Sequence, residues 1–474
     1  MLFNKIYCIF ENIFNFKANK MKKILTVIFL ATSSIMTSQE HFTGISTSRR
    51  VGIINGALNP AELMNLSGKF EVNAFATSVN VSNNKIGFKD IIAGNDLEAA
   101  LFKGTDPANF KADVEVYGPS AAVNLKKWAF AVTTKLNARL DVVDVNTRLA
   151  DALINNDVAG IISSTNFKND YNQRISATTW GEFGVSAATN LLNSDKHRIN
   201  VGVTFKLLFP GSYANFGLDK FSGDLDTAGP KNYINNATAG LNVAYSGGLA
   251  NSFTNFGDYT KSLFGGLNGF AGDIGVNYQL KDNESSAKNA YKLNFGASLR
   301  NIGSMTFKDD NNYATDYKLS IQPTFLKPFG QDIDDFNDAN SLGDVEKILV
   351  NNGYLNIAPV QNKFVVKLPT VFSAYADVKI ISKFFLTGFI QQKLNSNNDN
   401  EQITSQNIVT VTPRFSTKYF EVFVPIHNSE IAGTTTGVGL RIGGFFLTSN
   451  SIVSALTCDT KQVDLSTGFR WSFL

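Results

Sequence analysis

Cysteine is nearly absent from this 474-residue chain, which has two, and histidine occurs three times. Cys8 lies in a segment read below as removed, so Cys458 stands alone. That excludes an intramolecular disulfide and any CxxC metal or redox site. His41, His197 and His427 fall in no zinc-binding spacing such as HExxH. No GxSxG elbow, phosphate-binding loop or GxGxxG turn between strand and helix is present. The sequence therefore offers no catalytic residue, no metal site and no cofactor, and a non-enzyme is expected. His197, at a strand start, is the one histidine placed where a barrel enzyme would need it, and it reads as an interfacial or turn residue.

Also missing are long apolar runs. After residue 39 no stretch of 18 apolar residues occurs, which excludes helical membrane spans. No Pro-rich or Ser-rich linker divides the chain into blocks. A strong charge is absent too. Removing residues 1–38 leaves 38 basic against 39 acidic residues, and the net charge passes from +3 to −1. The basic isoelectric point belongs partly to the leader, and nothing suggests nucleic-acid binding, which wants a clustered basic surface.

What is present begins with an export signal. Met21 to Gln39 reads MKKILTVIFLATSSIMTSQ, two lysines before a short apolar run and small polar residues after it. This is the layout of a cleaved secretory signal, too short to span a bilayer. We place the signal peptide at 21–38, with the cut near Ser38 or Gln39. Residues 1–20 mix aromatic and charged residues throughout and read as a mis-annotated extension. The alternative is a long leader start that is removed with the rest.

The full sequence is rich in phenylalanine, 39 residues in all, and its mature part alternates with period two. An exported, aromatic-rich chain without apolar helices can still enter a membrane as a closed barrel, since only helices and barrels satisfy every backbone polar group in lipid. From Trp128 to Leu140 the apolar set Trp128, Phe130, Val132 and Leu136 opposes Lys135, Asn137 and Arg139. Ile199 to Phe209 sets Val201, Val203 and Phe205 against Asn200, Thr204 and Lys206, and Phe270 to Lys281 sets Ile274 and Val276 against Asp273, Asn277 and Lys281. Tyr291 to Arg300 places Tyr291, Leu293 and Phe295 opposite Lys292, Asn294 and Arg300. Phe364 to Ile380 reads as one strand with Phe364, Val366, Leu368 and Phe372 on one side and Lys367, Asp377 and Lys379 on the other. Further strands are expected near 70–81, 114–125, 175–191, 233–245, 305–321, 384–394, 409–415, 419–426 and 435–447. The terminal VDLSTGFRWSFL alternates and ends in aromatics, as the recognition strand of outer-membrane proteins does, except that the aromatic is penultimate.

The fold class that follows is all-β, a transmembrane up-and-down antiparallel barrel over 69–474, of about fourteen strands from a count of about fourteen to sixteen segments. Residues 83–113, 141–171 and 211–231 read as long loops on one rim, against tight turns at 126–127 and 193–196. Residues 246–268 break that rule. Thr147 to Ala159 and Ser341 to Asn351 have helical spacing and read as small loop helices.

Ahead of the first strand, Asn59, Pro60 and Ala61 sit in a Gly-containing run. This resembles the start of the FadL-type long-chain fatty acid transporter family. Leu368, Pro369 and Thr370, and Gly443 to Leu447, resemble an uncharacterised branch of such barrels. The resemblance implies a fourteen-stranded outer-membrane barrel with an N-terminal hatch at 39–68, the hatch proper within His41 to Leu66. It also implies passive transport of hydrophobic or amphipathic small molecules, with Arg49 and Arg50 as candidate carboxylate partners. The alternative for these arginines is anchorage of the segment inside a polar lumen. Lys135, Arg139, Lys206, Asp273, Lys281, Lys292, Arg300, Lys367, Asp377, Arg441 and Arg470 are expected to face the lumen, as a path or as cross-lumen pairs. Expected partners are outer-membrane lipid, a hydrophobic small molecule, or a secreted or surface protein. Three functions compete: a FadL-like channel, a barrel that anchors or shuttles such a protein partner, and a soluble exported β-rich protein. A continuous apolar groove with a movable hatch would favour the first, and a sealed lumen with ordered protruding loops the second.

Overall fold

The structure is a computed structural model, and it describes residues 41–96, 100–101, 103–149, 165–228, 231–247, 265–283, 289–308, 313–322, 331–332, 342–356 and 359–473. The signal segment and the residues before it lie outside the described residues, as does most of 147–159.

Fourteen wall strands close a barrel. They are β1 (Phe70–Asn83), β2 (Ala108–Tyr117, resuming at Ser120–Asn124), β3 (Trp128–Val145), β4 (Asn172–Asn193), β5 (His197–Ala228), β6 (Gly269–Lys281) and β7 (Tyr291–Lys308). The second half is β8 (Lys363–Lys367, resuming at Val371–Ile381), β9 (Phe384–Lys393), β10 (Ile408–Ser416), β11 (Phe420–Phe423 with Ile426–Ser429), β12 (Gly433–Thr436 with Val438–Ile442), β13 (Phe445–Ser449) and β14 (Gln462–Phe473). Each pairs antiparallel with its neighbour in sequence, and β14 pairs with β1 from Phe70 against Phe473 to Ser82 against Gln462, which closes the ring. Closure leaves no sheet edge, the condition for a sheet to sit in lipid. A sandwich or solenoid is excluded.

The alternation decides which way each side chain points. On β6, Asp273, Gly275, Asn277 and Gln279 face the interior while Phe270, Ile274 and Val276 face outward, as the sequence pattern required. The outward set on all sides is apolar, with Phe205, Phe295, Val411 and Leu465 each more than a third exposed. In water this surface would be a large aggregation-prone patch; in a bilayer it is the lipid face.

Several readings are corrected. Residues 211–231 are mostly strand, not loop: β5 bends at Pro210–Gly211 and continues outward to Ala228, its outer half pairing with an extra strand, Lys231–Ser246. That extra strand, expected as a wall strand, stands above the rim and pairs with Tyr313–Ile321. Its excursion also explains the long connection at 246–268, whose two ends both lie at the long-loop rim. The stretch 305–321 is therefore two elements, the end of β7 and this outer strand. Likewise 435–447 divides at Gly443–Gly444 into β12 and β13. Within β8, Pro369 breaks the ladder and shifts the alternation by one residue. Phe364, Val366 and Leu368 consequently face inward, Phe372 faces outward, and Lys367 is exposed rather than lumenal. A bulge between Tyr291 and Leu293 does the same at the start of β7, turning Tyr291 in and Lys292 out. Of the small helices, α1 (Leu342–Asn351) forms as expected, and its Val345 and Leu349 pack under the outer strands against Tyr317 and Leu319.

Candidate functional site: the plugged lumen

Residues 41–66 run through the barrel interior on the side of the tight turns. A helical turn at Ile53–Leu58 is followed by a 3₁₀ turn at Pro60–Asn65, and Asn59 joins them as an N-cap. Its Oδ1 accepts from the Ala61 amide at 3.1 Å and its Nδ2 donates to the Val276 carbonyl on β6 at 2.8 Å. Proline after the cap suits the first position of a helical turn, where the missing N–H costs nothing. The wall is cut to receive this turn. A Cβ on Gly202 of β5 would collide with the Pro60 carbonyl, and one on Gly275 of β6 with the Asn59 side chain. Beside this recess, Ile53, Leu63, Met64 and Leu66 pack against Ala122, Ala129, Ala131 and Ala188 of β2, β3 and β4, small inward residues that leave room for large ones, with Ala188 paired directly to Gly202.

Glu62 is the polar centre of the plug. It is fully buried, accepts from Asn65, Asn277 and Asn294 at 2.7, 2.8 and 2.9 Å, and takes a further hydrogen bond from the Tyr375 hydroxyl. Burial, the largest influence, raises its pKa above the usual carboxylate value, and the hydrogen bonds from Asn65, Tyr375 and Asn294 oppose the rise. Arg49 donates to the Asn289 carbonyl at 3.0 Å and lies over the Tyr291 ring. Burial and then the adjacent Arg49 push the pKa of Arg50 down to about 10, with Glu421 opposing. His41, at the inner end, meets the Ser78 hydroxyl at 2.9 Å and the Asp113 carboxylate at 3.3 Å.

The wall around the plug carries alternating charge. Across five adjacent strands Glu115, Lys135, Glu182, Lys206 and Asp273 make successive ion pairs at 3.3, 3.4, 3.8 and 2.9 Å. On the far side Arg441 and Arg414 pair with Glu421 and Asp377 at 2.6 and 2.5 Å, and Arg470 pairs with Glu71 at 2.7 Å. Lys135, Arg139, Lys206, Arg300 and Arg441 thus all point into the lumen, and Arg300 donates to Gln391 at 2.8 Å. Lys281 sits at the rim, donating to the Ser194 carbonyl. His197 is a rim residue beside the Tyr278 hydroxyl, and His427 faces Thr410. Buried ion pairs contribute little net stability but are costly to break singly. The acidic partners Glu71, Glu115, Glu182 and Glu421, and the plug's Glu62, were not singled out in the sequence. The signal existed for two of them, since Glu115 shares an alternation face with Lys111 and Glu182 with Arg174, while the strands of Glu71 and Glu421 carry no lysine or arginine.

A second segment closes the other end. The β9–β10 connection folds inward, and its Thr404 carbonyl accepts from Lys111 and Arg139 at 2.9 Å each. Arg174 holds the Asp399 and Gln402 carbonyls at 2.8 and 3.2 Å. Ile403 enters an aromatic nest of Trp180, Tyr213, Phe307 and Phe364. Between the plug and this loop a cavity of about 70 Å³ remains, lined by Phe42, Leu58, Trp180, Glu115, Lys135 and Arg300 among others. That is under half the ~150 Å³ that holds one benzene. The lumen is closed in this state, with apolar and charged surface side by side and no continuous apolar groove among the described residues.

The sequence profile of the Family of unknown function (DUF5723) matches residues 60–450. A search of curated proteins finds no match. Among solved structures the fold is similar to FadL-family hydrocarbon channels. A TodX deltaS2S3 mutant monoaromatic hydrocarbon channel shares 9% identity with a TM-score of 0.45, over 88% of this chain and 94% of that one. The Ralstonia pickettii toluene transporter TbuX shares 11% with a TM-score of 0.40, over 90% and 95%. A Pseudomonas aeruginosa FadL homologue shares 8% with a TM-score of 0.39, over 92% and 98%. Because the matched stretch from the Asn-Pro-Ala turn to the end of β13 spans most of its length, the chain belongs to the DUF5723 family.

Proposed function

We propose that this protein is an outer-membrane channel for amphipathic small molecules, with its tight turns toward the periplasm and residues 41–66 as a movable gate. The observation that carries the reading is the way the plug is held. It fills a polar lumen through side-chain hydrogen bonds and glycine recesses, with no pairing into the wall ladder, so it can shift without opening the barrel. The surfaces it and the inward loop cover are charged rows beside aromatic side chains, suited to a passenger with a polar head and an apolar body. Solute uptake by vesicles holding the purified protein tests this. The wild type should admit little, and a variant lacking 41–66 together with 396–403 should admit alkyl-chain solutes with polar heads. No gain in the deletion variant would sink the channel reading.

A second reading has its own support. The outer half of β5, the two extra strands and α1 form an ordered unit above the rim with its own apolar core, including Phe221, Leu241, Tyr317 and Leu349. A barrel sealed at both ends and crowned this way would suit one that holds a secreted or surface protein. Loss of such a partner from cells when this crown is deleted, with uptake unchanged, would favour it.

A further inference from the structure

The tight-turn rim carries lysine on four separate turns around the barrel. Lys126 and Lys127 join β2 to β3, Lys196 joins β4 to β5, Lys383 joins β8 to β9 and Lys418 joins β10 to β11; Lys69 precedes β1. All six are exposed, and among the described residues none forms an ion pair. Asp195, beside Lys196, is the exposed carboxylate of these turns. Directly above runs a girdle of outward aromatics, with Phe70, Trp128, Phe384, Tyr419, Trp471 and Phe473 each more than a third exposed. Two of the lysines lean onto that girdle. Lys69 Nζ lies 5.5 Å from the Phe70 ring centre and Lys418 Nζ 5.2 Å from that of Tyr419.

We infer that this ring is a binding surface for anionic phospholipid headgroups of the leaflet at the tight-turn rim. Three features select lipid over a protein. The lysines occupy turns on both halves of the circumference, whereas a docked protein would cover one arc. They adjoin the aromatic belt, which sits at headgroup level in membrane proteins. The two ammonium groups over girdle rings are on the outer, lipid-facing side, where long cationic side chains reach the interface while their stems stay on apolar surface. The charged row on the lumen wall is paired strand to strand, whereas these six lysines have no ion-pair partner among the described residues. The surface is independent of what passes through the lumen.

The tryptophans supply the assay. Trp128 and Trp471 lie in the girdle and Trp180 is buried in the lumen as a constant background. The full-length mature protein, reconstituted in vesicles, would be titrated with brominated phosphatidylglycerol or brominated phosphatidylcholine while tryptophan quenching is read. The expected result is a preference of about fivefold for the anionic lipid, the equivalent of roughly one well-placed lysine. It should collapse toward parity near 0.5 M salt, where the screening length is only a few ångströms. Changing all six lysines to glutamine should abolish it at low salt. Equal quenching by both lipids in the wild type would overturn the inference and leave the ring to an acidic soluble partner. So would a preference that survives the substitutions. Should the sixfold variant fail to insert, a wild-type preference indifferent to salt would overturn it alone.

Discussion

Glu62 takes hydrogen bonds from four side chains, three of them on the barrel wall, and replacing it takes the acceptor from Asn294 Nδ2 and the Tyr375 hydroxyl while Asn65 and Asn277 each lose one of their acceptors. Glu62→Ala should weaken plug docking by about 3 kcal/mol, since each unmet buried donor costs on the order of 1 kcal/mol or more. Hydrogen exchange of amides 53–66 would read this as faster exchange while the wall strands stay protected. The pH dependence has a definite sign. Because the docked pKa is raised, the Glu62 contribution to docking is fully present below its ordinary value of 4.5 and is lost as pH climbs through the raised value. Plug amides should therefore exchange more slowly at pH 4.5 than at pH 8 after correction for intrinsic rates, and Glu62→Gln should flatten that difference. A slope of opposite sign would contradict the assignment. Gly275→Ala tests the recess from the wall side: it should displace the plug while leaving β6 intact, because the added Cβ meets the Asn59 side chain rather than a barrel neighbour. At this scale much was legible in the sequence. The inward direction of Lys135, Lys206 and Arg441 followed from alternation alone. Glu62 was not legible, because its burial is produced by β6, β7 and β8 closing over a turn that has no periodicity.

Among the elements, the errors collect at prolines and bulges. Period-two reasoning carries a face assignment along a strand only while the ladder is unbroken, and one skipped residue moves every later side chain to the other face. Pro369 and the bulge before Leu293 are such skips, which is why Lys367 and Lys292 lie outside the lumen. Pro210–Gly211 misled in the opposite way, reading as a loop where the strand only bends and changes partner. The two closing segments make a further prediction. The plug fills one half of the lumen and the β9–β10 connection the other, so deleting 41–66 alone or 396–403 alone should give a small conductance in planar bilayers. Deleting both should give much more than the sum. Additive conductances would mean that the two segments do not lie in series.

For the whole molecule, the closed ladder and outward apolar face predict a barrel that resists sodium dodecyl sulfate in the cold and shifts in gel mobility on boiling. A protein released as soluble, without that shift, would contradict a lipid-facing exterior. The central claim concerns the plug, and a reversible cross-link reaches it most directly. Asn65 Nδ2 and Asn277 Oδ1 are 2.9 Å apart, one on the plug and one on the wall. In a Cys458→Ser background, Asn65→Cys with Asn277→Cys would place two thiols there, and solute uptake by vesicles would be compared before and after reduction. The account predicts negligible uptake while the disulfide holds and a rise above the low wild-type rate once it is reduced, because both substitutions remove hydrogen bonds that hold the plug. Equal uptake in both states would show that passage, if any, does not go through the plugged lumen.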